Sequence, residues 1–544
     1  MRRLLIVGIL LLAFLVRVVN LSDYPAGFTP DEASFGYDAY SLLKTGKDQW
    51  GVTYPLTFKS FGDFKLPAYT YLTMPSVAVF GLTRFAVRLP NAVLGTLAVM
   101  FTYLLAQEIT GLRGKTDERI SQISALLVAF SYWHIALSRG AFEANLTTFF
   151  MTAGVWAFLF SRKQSSWWMV LSMVFFGVNM FTYHAARLVT PVLVFSLFFF
   201  YHKALRFNKI YVTSIVIFIF FCLVSGLSLV SGSGTRAATS TLISENIGSG
   251  IVRASVVNAG MPLPLARLFY NEPSAKLTKF VSNYISYFSP GFLFTEGARE
   301  ASYGMIPGGG LLSTVEFVGL LCFIWSTLHK RNKFVLFLCS WLLFAPIPAA
   351  ISIGPGHAAN RAAILMPALE IASAYGLARV LKLLRGKAQQ IAVPVTYISI
   401  VFLGLFSFIK YTYTQPIYAA NGMMYGMDEL FAFLQTYPTK HVILSRSLSE
   451  PHIYAAFYDP IYPNLYQKAT THWNFESAKL NWVDQQEGYF VGRYVVSSID
   501  KSRDFQLDNT FIVGTLDEMP VNARLVKEIL TPDKKLLWVV AEKP

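Results

Sequence analysis

The sequence predicts a polytopic α-helical membrane protein with a small α/β domain at its C-terminal end. Three observations lead there. Of 544 residues, 54% are hydrophobic and 15% aromatic, while only 14% are charged, which is too apolar for a soluble globular chain. Apolar runs of roughly bilayer-spanning length recur from residue 4 to about residue 410. Beyond that point "GMDELFAFLQTYPTKHVILSRS" reads as an amphipathic helix followed by a strand, and "NTFIVGTLDE" and "KLLWVVAEKP" read as further strands.

The first run, "LLIVGILLLAFLVRVVNL", follows Arg2 and Arg3. It lacks a small-residue cleavage site and is long enough to span, so it reads as a retained transmembrane helix rather than a signal peptide. Further spans are expected near residues 88–106, 120–137, 141–160, 167–184, 186–201, 210–230, 311–328, 334–352, 361–381 and 391–410. With the first run that makes about eleven. The loops "GLRGKTDER", "SRKQ", "YHKALRFNK", "HKRNK" and "KLLRGK" fall on the side of Arg2 and Arg3, which the positive-inside rule makes cytoplasmic. Residues 21–87, residues 231–310 and the tail from 411 to 544 then lie on the outer face. The tail, about 130 residues long, has the size of a small domain.

The formal charge of +15 is largely accounted for by the cytoplasmic loops, so a nucleic-acid partner is not required. Cys222, Cys322 and Cys339 sit inside apolar runs and behave as small hydrophobes, with no disulfide framework or metal motif.

"FTPDEASFGYDAYSLLKTGKDQWG", residues 28–51, places adjacent acids Asp31 and Glu32 just past the first span. One reading is a helix start, with Pro30 at the entry and carboxylates favouring the positive end of the helix dipole. The other is chemical, a carboxylate positioned as a general base. Both can hold at once. Arg84, Arg88, Arg139, Arg187 and Arg361 lie at outer helix ends, near His134, Glu143, His184 and His357. Cations there run against the topology signal and would cost about 2.5 to 3.5 kcal/mol each at mid-bilayer. A polar cavity opening outward would compensate them, or they would snorkel to lipid head groups.

Several motifs carry a family resemblance. "TPDEASFGYDAYSLLKTGKDQWG", "FGDFKLPAYTYL" and "FAVRLPNAVLG", followed by "SRGAFEANL", "TYHAARLVTP", "YFSPGFLFTEG" and "HAANRAAILMPAL", resemble the dolichyl-phosphate-mannose protein mannosyltransferase superfamily, glycosyltransferase family 39. That superfamily includes the bacterial aminoarabinose lipid A transferases. The resemblance covers about residues 1–410, and the tail matches no catalytic module. It implies a GT-C fold, with a first outer loop holding membrane-parallel helices and an active site at the outer membrane boundary. It also implies a multi-pass protein of the bacterial plasma membrane that moves a sugar from a polyprenyl-phosphate donor to a lipid, protein or wall-glycan acceptor.

Residue by residue, Asp31 resembles the family's catalytic aspartate, acting as base in an inverting transfer, and Glu32 would orient the loop or acceptor. Lys65, Arg88, Arg361 and His357 are candidates for the donor phosphate. Asp63, Arg139, Glu143, Tyr183 and His184 are candidates for the acceptor or sugar pocket. The chain reads "KLP" where many relatives read "KPP", a departure beside Lys65. No cofactor is required. A divalent cation stays open, since His357, His184 and a carboxylate such as Asp63 would supply ligands, but no zinc-like spacing appears. Glu316 and Glu370 sit inside helices, where they would pair with arginine or mark a functional pathway.

Two other functions remain: ligation of a whole lipid-linked glycan, and flipping or transport of a lipid-linked sugar. A transporter would place its site near the midplane and often shows internal repeats, neither of which is evident.

Overall fold

The structure is a computed structural model describing residues 2–111, 118–204, 208–230, 234, 241–299, 303–306, 308–329, 332–354 and 357–544. Parts of the basic loops at 111–119, 201–209 and 329–333, and of the expected outer loop 231–310, fall outside these residues. Among the described residues, seven helices are long and apolar enough to cross a membrane, or eight if Glu118–Phe130 and Tyr132–Arg139, bent by 52°, form one span. Three shorter apolar helices, Leu4–Val18, Trp167–Asn179 and Thr314–Leu328, fall at three more of the eleven expected positions.

Their surroundings differ sharply. The apolar windows of Glu143–Ser161 and Ala363–Leu383 are 94% and 89% buried, against 17% and 11% for Lys209–Ser228 and Gly386–Tyr418. The first two are central helices of the bundle. The last two expose their hydrophobic side chains on the outside of it, as a lipid-facing helix does.

Between the first helix, Arg2–Val18, and the first long span, Arg84–Gly111, the chain builds a small loop assembly. A helix runs from Pro30 to Thr45, with Pro30 in its first turn and Gly46 (φ 70°) closing its C-terminus by donating to the Leu42 carbonyl. A two-stranded antiparallel ribbon follows, β1 (Phe58–Lys59) paired with β2 (Phe64–Lys65). The helix Pro67–Phe80 then leads back into the bundle.

After residue 418 the chain forms a six-stranded mixed sheet. Its strands are β3 (His441–Ser445), β4 (Tyr489–Val491), β5 (Tyr494–Ser497), β6 (Thr510–Gly514), β7 (Arg524–Leu530) and β8 (Leu536–Glu542), in the order β4-β5-β3-β6-β8-β7. The central β3 pairs in parallel with β5 and β6, and the outer pairs are antiparallel. Buried runs such as Val442–Leu444 and Phe511–Val513 reflect a strand covered on both faces. The helices Met427–Gln435, Pro451–Tyr458 and Pro463–Thr470 pack with the sheet.

This unit shares one apolar core with the loop assembly, which includes Phe28, Phe35 and Tyr69 on one side and Tyr454, Phe457 and Tyr466 on the other. Polar contacts reinforce the seam: Tyr454 donates to the Phe28 carbonyl (2.6 Å), Tyr37 to the Ile461 carbonyl (2.7 Å), and the Val483 amide to the Phe61 carbonyl (2.7 Å). At Gly62 an added Cβ would lie 2.0 Å from the Asn481 carbonyl oxygen, so only glycine allows this approach.

Candidate active site

Asp31 and Glu32 open the Pro30–Thr45 helix. Thr29 is its N-cap: the Thr29 hydroxyl accepts from the Glu32 amide (3.2 Å) and the Glu32 carboxylate accepts from the Thr29 amide (3.0 Å). This is the reciprocal capping box that the sequence T-P-D-E encodes. Neighbouring residues on a helix point about 100° apart, so the two acids diverge. The side chain of Glu32 is wholly buried, while that of Asp31 is 51% exposed.

Glu32 looks inward to Arg88. Arg88 Nε donates to Glu32 Oε1 (2.8 Å) and Nη2 to Glu32 Oε2 (3.2 Å). Nη1 donates to the carbonyls of Leu21, Ser22 and Pro25, and Nη2 to that of Gly27. All the guanidinium donors are thereby used within the protein. Arg88 was expected at the donor phosphate; here it is fully buried and ties the 21–27 loop to the capped helix. Glu32 also accepts from the Ala141 amide (3.0 Å), so its expected orienting role takes the form of a structural junction.

A buried charge needs such satisfaction, and other buried arginines show the same solution. Arg139 donates to the carbonyls of Val16, Val19, Asn20 and Tyr24, covering the open C-terminal end of the first helix. Arg17 covers the carbonyls of Val128 and Ala129 and donates to His134 Nδ1 (2.7 Å). Since arginine only donates, Nε2 carries the His134 proton and donates to Thr148 (3.0 Å). Arg139, expected in the sugar pocket, is thus engaged with backbone instead.

Asp31 faces Lys65, presented by β2. Lys65 Nζ lies 2.8 Å from Asp31 Oδ1 although the lysine side chain is only 4% exposed. The contact is an ion pair, and among the described residues the ammonium makes no hydrogen bond. The rings of Phe35 and Phe61, 4.8 and 4.9 Å away, flank it, excluding water and favouring the cation. The ribbon is held from behind, where His184 Nε2 donates to the Phe64 carbonyl (3.2 Å) and the Ala68 amide to that of Phe181 (3.1 Å). His184, with Tyr183 at the start of its helix, supports Lys65 from this side.

Asp31 opens onto a cavity of about 650 Å³. One wall comes from Thr29, Pro30, Asp31 and Phe61, a second from Ala141, Phe142 and Glu143, and a third from Ser449, Glu450, Trp482, Asp484 and Gln485 of the C-terminal unit. Asn91 holds the second wall, its amide donating to the carbonyls of Leu137, Gly140 and Phe142. The expected residues Asp31 and Glu143 meet here. Asp63 sits in the turn of the adjacent ribbon, where its carbonyl accepts from the Ser60 amide (2.8 Å).

His357 and Arg361 are not among the lining residues. Arg361 donates to the Ile353 carbonyl (2.8 Å). His357, at φ 55°, packs on Phe292; burial, then the Arg299 cation, holds its pKa below the usual imidazole value. Of the two helix-interior acids, Glu316 caps its own helix through Ser313, and both oxygens of Glu370 are buried without hydrogen-bond partners. Among the described residues, no group of three or more His, Cys, Asp or Glu side chains is gathered to hold a metal ion.

Glu450 is the residue that sequence reading missed. In "RSLSEPHIYAAF" it looks like an ordinary helix start before Pro451. In the structure it is 5% exposed with left-handed backbone (φ 49°, ψ 53°), a conformation costing about 1 to 2 kcal/mol for a residue with a Cβ. Its Oε2 is buried without a hydrogen-bond partner. Burial first, then the Asp484 charge, push its pKa well above the usual carboxylate value; Asp31 and Asp63 add to this and Lys65 opposes it. His452 Nδ1 is 3.8 Å from Oε2, but burial lowers the pKa of that ring to about 3. The ring is neutral, engaged with the Tyr489 hydroxyl (2.9 Å), and forms no ion pair.

Residues 65–225 match the family model described as dolichyl-phosphate-mannose-protein mannosyltransferase. The family is the one its motifs resemble. An uncharacterized protein of Aquifex aeolicus (strain VF5) is 29% identical over 220 residues, covering 38% of this chain and 41% of its own. The chain thus spans about two fifths of the length of that curated relative. Two crystal structures of ArnT from Cupriavidus metallidurans, apo and bound to undecaprenyl phosphate, superpose with TM-scores of 0.56 and 0.54. Each match has 12% identity and covers 99% of this chain and 97% of the other. At that identity the likeness concerns fold alone, and the fold is GT-C.

Proposed function

We propose that this chain is a membrane glycosyltransferase that takes a sugar from a polyprenyl-phosphate carrier and passes it to an acceptor at the outer face of the plasma membrane. The observation that carries this reading is the Asp31–Lys65 pair: a half-exposed carboxylate on a cavity, backed at 2.8 Å by a nearly buried ammonium that makes no hydrogen bond among the described residues.

The pair divides the work of the transfer. An acceptor hydroxyl attacks the anomeric carbon while Asp31 takes its proton. The bond between that carbon and the phosphate oxygen breaks, and its electrons leave on the phosphate. Base and leaving group act on opposite faces, so the anomeric centre inverts. Lys65 meets the developing phosphate charge in a dry, aromatic-flanked setting, where a fixed cation counts for more than in water. The donor phosphate competes with Asp31 for Lys65, so carrier binding would weaken that ion pair and raise the basicity of the carboxylate. Arg88 has no donor left for the phosphate, and this role falls to Lys65.

The test is reconstitution. Purified protein in liposomes, given undecaprenyl-phosphate-linked sugars and a cell-envelope fraction, is expected to release free undecaprenyl phosphate as sugar appears on an envelope acceptor by mass spectrometry. Carrier that crosses the bilayer with its sugar intact would make the chain a transporter and sink the reading.

A further inference from the structure

Resting on the glycosyl-transfer reading, we propose that Glu450 and Trp482 of the C-terminal unit form a sugar-binding wall of the Asp31 cavity, with Glu450 hydrogen-bonding a ring hydroxyl. The tail is then part of the active site.

Glu450 is nearly fully buried and lines the cavity. Its Oε2 is sealed beside His452 without a hydrogen-bond partner, so the carboxyl is under-satisfied and its other oxygen is the one left to meet a ligand in the cavity. Its partner is not an anion, because Asp31, Glu143 and Asp484 line the same cavity and would repel one. Among the described residues the lining holds no lysine or arginine to serve as a protein cation. A carboxyl that retains its proton, as burial and the Asp484 charge favour here, both donates and accepts, which matches a sugar hydroxyl. Trp482, 45% exposed on the same wall, offers the flat apolar surface on which the C–H face of a pyranose packs. The position is held firmly from the loop assembly: Val483, between Trp482 and Asp484, donates to the Phe61 carbonyl, and Tyr454, in the helix Glu450 begins, donates to that of Phe28.

The sugar read by this wall belongs to the donor or to the acceptor, and one experiment separates the two. Saturation-transfer NMR is run on the full chain in nanodiscs with methyl α-mannoside, methyl α-glucoside and methyl β-arabinoside as probes. At least one probe is expected to receive saturation. The signal should fall about fivefold or more in Glu450→Ala, the loss of one hydrogen bond, and fall in Trp482→Ala, yet survive in Glu450→Gln, whose amide also donates and accepts. Pre-loading with undecaprenyl-phosphate mannose distinguishes the sources: a displaced probe marks the donor sugar's site, and a retained probe the acceptor's. Binding of undecaprenyl phosphate alone, sensitive to Lys65→Ala and not to Glu450→Ala, checks the carrier reading independently. No probe signal, a signal unchanged in Glu450→Ala, or a lowered melting temperature with the signal lost in both Glu450 variants would overturn the proposal, the last by making Glu450 structural.

Discussion

Asp31 and Glu32 are one peptide bond apart, carry the same charge, and each meets a cation brought from elsewhere in the chain. The Glu32–Arg88 pair is sealed, with every guanidinium donor used and no side-chain surface exposed. The Asp31–Lys65 pair is open on one side, its carboxylate half in the cavity and its ammonium short of acceptors. A sealed pair can only hold the fold, whereas an open pair can exchange partners. The helical turn that sets the two carboxylates about 100° apart thus separates architecture from chemistry.

The largest expected effect breaks the sealed pair. Arg88→Met leaves Glu32 as an unpaired buried carboxylate and frees four carbonyls, so it should cost about 3 to 5 kcal/mol. Adding Glu32→Gln should recover part of this. Melting temperature and yield in detergent measure both variants; a double variant no more stable than Arg88→Met alone would show that the pairing is not what matters.

On the open side, Asp31→Asn keeps shape and removes proton affinity. Turnover should fall about a hundredfold or more, about 2.7 kcal/mol in barrier, with melting temperature unchanged. Near-normal turnover in the purified variant would reduce Asp31 to a helix-start residue, equivalent in role to its neighbour.

Lys65→Ala should act on the carrier, raising donor KM and weakening product inhibition by free undecaprenyl phosphate. Lys65→Arg should restore only part, because a planar fork fits poorly where a compact ammonium sits between two rings. Equal donor KM values in wild type and Lys65→Ala would place the phosphate elsewhere.

The smallest effect concerns the seam. Gly62→Ala forces the ribbon turn away from the Asn481 carbonyl, at a cost of about 1 to 3 kcal/mol. It should loosen the C-terminal unit, read as faster proteolysis near residue 481, while Asp31 and Lys65 stay in place. Unchanged proteolysis would mean the seam tolerates the shift.

Much is legible in the sequence alone. The capping box follows from Thr29, Pro30 and Glu32 alone, because capping is local. The positions of the apolar helices follow from composition and length, and a helix followed by strands in the tail from the change of periodicity at Met427 and His441. Asp31 and Lys65 stood out because their motifs resembled a family. That Arg88 and Arg139 bond Glu32 and backbone carbonyls was not legible, because an arginine at a helix end looks the same in sequence whether its partner is a phosphate or a set of backbone carbonyls.

What the sequence determined by itself is what depends on neighbours along the chain: a greasy, many-helix protein, an acid pair at a helix start, and strands after residue 440. Tertiary structure alone decided which of the two acids is sealed and which is half-exposed, that the tail packs on the loop assembly after the first helix, and that Glu450 lines the same cavity as Asp31. Those outcomes rest on contacts hundreds of residues apart, such as Tyr454 with Phe28. Periodicity and propensity report on the next few residues, whereas burial and charge pairing are set by whatever the fold brings near.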